Sequence, residues 1–288
     1  MNIAWIGTGI MGKPMALHLA EKHHVTVFNR TFEKAKALEP KVKAKKSIKD
    51  TVEHADVVFV MVGYPKDVEE VFLEVFKHVK TGTIIVDMTT SDPKLASKLY
   101  ELGKSKNIYC LDAPVTGGEK GAIDGTLSIM VGGDQEIFNQ VLPLFELLGN
   151  TITYVGRAGS GQMTKLTNQI AIAGCLVGVV ESLVFAYEHH LDLTKVHQVL
   201  SGGSASSNQL SGNGLSMIYK DFRPGFYVKH FYKDLNLALD NTITELPVVI
   251  RVRDQLEKLI HEGYENLGTQ SLILAYLDNY IVDIDNQK

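Results

Sequence analysis

Short apolar blocks alternate with helix-spaced apolar positions through the first half of the chain. Ile3–Ile6, Val25–Phe28, Val57–Val62 ("VVFVMV"), Ile84–Asp87 and Ile108–Leu111 read as buried strands. Residues 10–22, Lys66–Val79 and Pro93–Lys104 carry apolar residues at helical spacing between them. Apolar strands alternating with helices predict a parallel sheet covered on both faces, an α/β doubly wound fold. Leu127–Val131 and Thr151–Val155 read as two more strands that extend it. After about residue 160 the strand pattern stops. "GQMTKLTNQIAIAGCLVGVVESLVFAYEHHL" is one long helical pattern, and 194–201, 231–245, 247–262 and 269–284 also read as helices. The stretch Ile170–Val180 is apolar nearly all round, which predicts a helix buried on several sides, in a domain core or a subunit interface. Two domains follow, 1–160 and 161–288, the second all-α. The stretch 201–216 ("SGGSASSNQLSGNGLS") reads as a flexible linker by composition or, from its closely flanking helices, as a loop at a domain cleft.

Composition narrows the function classes. The 288 residues are 45% hydrophobic with a formal net charge of −4. There is no basic stripe for nucleic acid, and the cluster Lys41–Lys46 reads as solvated surface. Cys110 and Cys175 both lie in apolar stretches and read as small buried hydrophobes, with neither a disulfide framework nor a metal site predicted. The run Ile170–Val180 is shorter than the roughly 20 residues that a membrane span takes, and a strand starting within two residues of Met1 leaves no room for a targeting peptide. A cytoplasmic protein without membrane or nucleic-acid partners is expected.

The turn after the first strand carries the first chemistry. "IAWIGTGIMGKPMA" places Gly7, Gly9 and Gly12 in a G-x-G-x-x-G spacing between a strand and a helix. Gly7 permits the tight turn, Gly9 lets backbone approach a pyrophosphate, and Gly12 lets helix and strand pack. The helix start offers free N–H groups to phosphate. With Thr8, Ile10 and Met11, these residues predict a dinucleotide site. In many such folds an acid at the tip of the second strand holds a ribose hydroxyl. Here "VTVFNRT" puts Asn29, Arg30 and Thr31 at that tip. Asn29 brings no repulsion, Arg30 offers a planar cationic fork to a 2′-phosphate, and Thr31 adds a hydroxyl that can also cap the next helix. NADP(H) is therefore the preferred cofactor and NAD(H) the alternative. The bland reading has Arg30 stacking on adenine or pointing to water.

A second glycine-rich loop, "CLDAPVTGGEKGAIDGTLSIMVGG", follows the strand at 108–111. Asp112 and Pro114 shape it, and Thr116 with Gly117 and Gly118 offers a hydroxyl beside exposed N–H groups, a set that can hold a carboxylate. An ordinary glycine turn explains these residues equally well on physics alone.

Four motifs in order, "GTGIMGKPMA", "DAPVTGGEKGAIDGTLSIMVGG", "GSGQMTKLTNQ" and "YKDLNLALD", make the chain resemble the β-hydroxyacid dehydrogenases end to end. The resemblance implies a Rossmann NAD(P)-binding domain, then an all-helical substrate and oligomerisation domain, with the active site in the cleft between them. It implies Lys165 as the general acid/base. In a closed cleft such a lysine loses hydration, its pKa falls toward neutrality, and it donates a proton to a carbonyl oxygen as hydride arrives at carbon. It implies Thr116, where the family has serine, with Gly117 and Gly118 as the carboxylate site. A substrate amide is supplied by Asn168 or Gln169, three and four residues after the lysine. Lys233, in a Lys-Asp pair with Asp234, approaches the nicotinamide, with Phe231 and Tyr232 walling the cleft. Thr90 lies near the cofactor ribose, and Met61, Val62 and Gly63 open a covering turn that reads Val-Gly-Tyr-Pro, where the family often has Met-Leu-Pro.

The resulting expectation is an NADPH-preferring enzyme, needing no metal, that interconverts a small β-hydroxyacid and its semialdehyde or oxoacid. Glyoxylate, succinic semialdehyde and 3-hydroxyisobutyrate-like compounds are the substrate range, and a homodimer or homotetramer is the expected assembly. Two alternatives stand beside it. Imine reductases share the architecture but commonly replace the lysine, and some relatives have lost the lysine and act as cofactor-binding scaffolds.

Overall fold

A computed structural model describes residues 1–277. Strand β1 (Asn2–Ile6) sits mid-sheet, flanked by β2 (His24–Phe28) and β4 (Val57–Val60). The order is β3-β2-β1-β4-β5-β6-β8-β7, with β9 also paired to β8. Here β3 is Lys43–Lys45, β5 Ile84–Asp87, β6 Tyr109–Asp112, β7 Val115–Thr116, β8 Leu127–Gly132 and β9 Gly149–Gly156. Strands β1 to β6 pair in parallel, and β8 runs antiparallel to β6 and β7. The helices between them are α1 (Gly12–Ala20), α2 (Phe32–Lys36), α3 (Ile48–Val52), α4 (Pro65–Val75), α5 (Pro93–Ser105), α6 (Gly118–Asp124) and α7 (Gln135–Phe145). The sheet is therefore doubly wound as expected, but mixed rather than wholly parallel at its β7–β8 end.

Side-chain alternation along the strands builds two layers. Ile3, Trp5, Val57, Phe59 and Val86 join one core, while Ala4, Ile6, Val58, Val60 and Ile85 join the other. Both faces are dry, which is why these strands read as continuous apolar runs. Trp5 stacks on Phe59 with ring centroids 5.4 Å apart.

Two compact units emerge, one of Met1–Lys165 and one from Leu166 onward. The boundary lies inside α8 (Ser160–Glu188), a 29-residue helix. The second unit holds α9 (Leu193–Ser201), a π-helical turn at Leu210–Gly214, α10 (Leu215–Ile218), α11 (Val228–Asp240), α12 (Pro247–His261) and a 3-10 segment at Thr269–Ala275. Its core joins Leu176, Val180 and Leu183 of α8 to Phe231 and Leu235 of α11 and Val252 and Leu256 of α12.

Several expectations change. The stretch 201–216 is only partly a connection: Leu210 and Gly214 are buried in a helical turn. Cys110 is buried, but Cys175 is exposed. Lys43–Lys45 within the Lys41–Lys46 cluster pairs as an edge strand. The expected helix 269–284 is a 3-10 turn over its first residues, and its part after 277 lies outside the described residues. Helix α8 is buried along part of its surface and open along the rest. Ala171, Gly174, Cys175, Gly178, Ser182 and Phe185 face outward. Although the apolar run Ile170–Val180 is short, α8 as a whole is long and apolar enough to cross a membrane by length and composition. A third of its most apolar window is buried in the structure.

Candidate active site

The glycine turn opens where β1 ends, at the point where strand order reverses between β1 and β4, the place where doubly wound sheets bind ligands. Gly7 has φ +98°, and a Cβ there would lie 2.0 Å from the Met61 carbonyl oxygen. The turn and the residue after β4 thus meet backbone to backbone. Gly12 packs as closely, since its Cβ would fall 2.0 Å from the Gly7 carbonyl. The buried Trp5 indole N–H donates to that same carbonyl at 2.8 Å and braces the turn.

The turn is tied to the tip of β2. Thr8 N–H donates to Asn29 Oδ1 at 3.0 Å, and Asn29 Nδ2 donates to the Thr31 carbonyl at 3.0 Å. Thr31 occupies the N-cap position of α2, yet its side chain makes no capping bond, contrary to expectation. Arg30 is 91% exposed, with its guanidinium 3.6 Å from Asp67 Oδ1. Asp67 also accepts from Tyr64 N–H at the start of α4. The turn has the form a dinucleotide requires. A side chain added at Gly9 would meet nothing within 4 Å, and the buried Thr8 hydroxyl has no hydrogen-bond partner among the described residues.

Farther along the sheet edge, Val62 N–H donates to Thr89 Oγ1 and Thr89 N–H to Asp87 Oδ1. This loop carries Thr90. Beyond it, Asp112 ends β6 and turns its carboxylate onto the start of α8. Its oxygens accept from Gly159 N–H and Gln162 N–H, each at 2.8 Å. Burial raises the Asp112 pKa from 3.8 to about 6, and these backbone bonds hold it from rising further. Lys165 follows on the next turn of α8 and is only 7% exposed. Thr116 lies in β7 opposite Ser128, and Gly117 at φ +132° leads into α6 at Gly118. The His18 ring contacts the carbonyls of Ala122 and Ile123 near the end of α6, joining it to α1.

In the second unit, α8 continues through Asn168 and Gln169. Gln169 is 1% exposed; its Nε2 donates to Asp234 Oδ2 at 2.8 Å, and its Oε1 accepts from Asn168 Nδ2 at 2.9 Å. Lys233 Nζ lies 3.2 Å from Asp234 Oδ1, an ion pair out of hydrogen-bond alignment. Both side chains are largely buried, so this is no solvated surface pair. One turn earlier on α11, His230 has its pKa lowered to about 4, first by burial and then by the Lys233 charge. Phe231 is a fully buried core residue, not a wall residue, and Tyr232 donates its hydroxyl proton to Glu257.

Residues 2–156 match the model of the NAD binding domain of 6-phosphogluconate dehydrogenase, and 159–276 that of the NAD-binding region of NADP-dependent 3-hydroxyisobutyrate dehydrogenase. The chain belongs to the β-hydroxyacid dehydrogenase family. As a member it is a nicotinamide-dependent oxidoreductase acting on hydroxyl groups. It is 42% identical over 288 residues to the 2-hydroxy-3-oxopropionate reductase of Escherichia coli, covering 96% of this chain and 97% of that protein. It is 41% identical over 283 residues to a probable mitochondrial 3-hydroxyisobutyrate dehydrogenase-like protein of Arabidopsis thaliana, covering 95% and 84%. A solved Mycobacterium tuberculosis 3-hydroxyisobutyrate dehydrogenase with L-serine aligns with a TM-score of 0.88 at 28% identity, covering 96% of this chain and 99% of that one.

The sequence reasoning passed over Trp5, Asp67 and Gln162. Gln162 carried a visible signal: a polar residue between a glycine pair and an apolar helix, where only an anchored side chain is tolerated.

Proposed function

We propose that this family member is an NADPH-preferring reductase of small semialdehydes or oxoacids, running in reverse as a β-hydroxyacid dehydrogenase. Lys165 carries the reading. An ammonium on a nearly dry turn of helix, in the same compact unit as the glycine turn and the Thr116 loop, suits proton transfer to a developing alkoxide. The nicotinamide, when bound, supplies or accepts the hydride. The turn Gly7–Gly12 holds the pyrophosphate, and Met61, Val62, Gly63 and Thr90 line its path. Asn29, Arg30 and Thr31 receive the 2′-phosphate, and Lys233 faces the nicotinamide end. Thr116 Oγ1 and the N–H groups of Gly117 and Gly118 bind the substrate carboxylate. Of the two amides, Gln169 is buried and engaged at both ends, which favours Asn168 as the group that orients substrate and Gln169 as its support.

We also assign a homo-oligomer, a dimer or tetramer. The outward apolar face of α8, with open space over Gly174 and Gly178, supports it. Light scattering gives the mass directly. For the chemistry, the test is a matrix of NADH and NADPH against glyoxylate, succinic semialdehyde, tartronate semialdehyde and methylmalonate semialdehyde. The reading predicts turnover of at least one aldehyde with NADPH favoured. Reduction of cyclic imines with no aldehyde turnover would replace it by the imine reductase reading.

A further inference from the structure

Gln162 is fully buried on the first turn of α8, three residues before Lys165. Its carboxamide is spent on one loop. Nε2 donates to the Thr89 carbonyl at 2.7 Å, and Oε1 accepts from Ser91 N–H at 2.8 Å. Those two residues bracket Thr90. The helix start does not need this amide for capping, because Asp112 already accepts from Gly159 and Gln162 N–H there. Nor can the helix start drift. A Cβ at Gly161 would lie 2.4 Å from the Asp112 carbonyl and 2.5 Å from that of Met130, so α8 begins in hard contact with β6 and β8. The loop is fixed from its other side by Thr89, whose hydroxyl takes Val62 N–H and whose N–H meets Asp87.

We propose that Gln162 is a positioning residue that couples the Thr89–Ser91 loop to Lys165, so that one carboxamide sets both the cofactor-facing loop and the place of the proton donor. A side chain must donate and accept at once to do this, and among uncharged residues of this length only glutamine offers both. The inference rests on the reading of Lys165 as acid/base and of Thr90 as a cofactor contact. Misplacing a catalytic group by about 1 Å can cost on the order of 100-fold in rate.

The test uses the full chain with Gln162→Glu, which keeps shape and removes the donor while the carboxyl is ionised. Equilibrium binding of NADPH and kcat with an accepted aldehyde are followed from about pH 8.5 to about pH 5.5 beside wild type. Near pH 8.5 the carboxylate faces the Thr89 carbonyl, and we expect NADPH binding to weaken about tenfold and kcat to fall on the order of 100-fold. On acidification the buried carboxyl, its pKa raised by desolvation, takes up a proton and donates again. Both quantities should then recover relative to wild type. Asp87, Asp112 and Lys165 titrate in both proteins, so the variant is compared with wild type at each pH. Binding and kcat within about threefold of wild type throughout, in Gln162→Glu and in Gln162→Met alike, overturn the proposal. If Gln162→Glu does not fold at high pH, Gln162→Met decides, since full NADPH binding and turnover in that uncharged variant also overturn it. Lys165→Met separates the underlying reading. It should lose turnover and keep NADPH binding, and turnover retained there sinks the role of Lys165 while leaving the Gln162 binding result to be judged alone.

Discussion

Asp112 sets burial against hydrogen bonding at one carboxyl, and the winner has a measurable sign. The pKa rises from 3.8 to about 6 because desolvation outweighs the donors from Gly159 and Gln162. A carboxyl with a raised folded-state pKa binds its proton more tightly in the folded than in the unfolded chain. Its contribution to stability is fully present below the unfolded value and is lost as pH rises through about 6. The full difference is about 3 kcal/mol, and about 2 kcal/mol of it falls between pH 7.5 and pH 4.5. Asp112→Asn removes the proton but nearly keeps the shape. Trp5, the single tryptophan, lies fully buried in the same compact unit and reports its unfolding. Urea midpoints by tryptophan fluorescence at the two pH values, for wild type and variant, give a double difference free of every other titration. Wild type should gain about 2 kcal/mol on the variant at the lower pH. A difference that is constant, or that grows with rising pH, would show that the backbone donors match or outweigh desolvation and refute the reasoning.

Gly12→Ala drives a Cβ to 2.0 Å from the Gly7 carbonyl, backbone that cannot yield. It should lower the urea midpoint of the Trp5 transition by the equivalent of about 1–3 kcal/mol and abolish NADPH binding. Arg30→Ala should cut the preference for NADPH over NADH about tenfold, the low end for a charge-assisted bond from an exposed side chain. Paired titrations of the two cofactors measure it, and an unchanged ratio rejects the clamp. His230 has the opposite linkage to Asp112. Its pKa is lowered to about 4, so its contribution is present above 6.5 and lost as pH falls through about 4. His230→Phe should therefore lessen the acid sensitivity of the second unit in calorimetric scans.

The doubly wound half was legible because its strands are dry on both faces and its glycines sit where backbone meets backbone. Gly7 and Gly12 are required by contacts that any side chain would break. What escaped was decided by tertiary partners. Lys43–Lys45 became a strand because β2 offered an edge, despite its charge. Thr31 takes the N-cap position without a side-chain cap, and its carbonyl accepts from the Asn29 amide, a partner set by the fold of the β2 tip. The all-round apolarity of Ile170–Val180 predicts burial on several sides without saying which, and the fold covers only part of α8, leaving Cys175 and Phe185 outside. Lys165 is a candidate that its motif makes visible, while the bonds at the start of its helix are not visible in the sequence. Asp112 and Gln162 lie 50 residues apart in sequence and meet only in the folded sheet edge.

The most direct test of the account is the single-turnover rate of Lys165→Ala with NADPH and the best aldehyde of the matrix, measured beside equilibrium binding of NADPH. General acid catalysis predicts a fall of about 10²- to 10⁴-fold in hydride transfer with cofactor affinity nearly unchanged. Hydride transfer at close to the wild-type rate would contradict it.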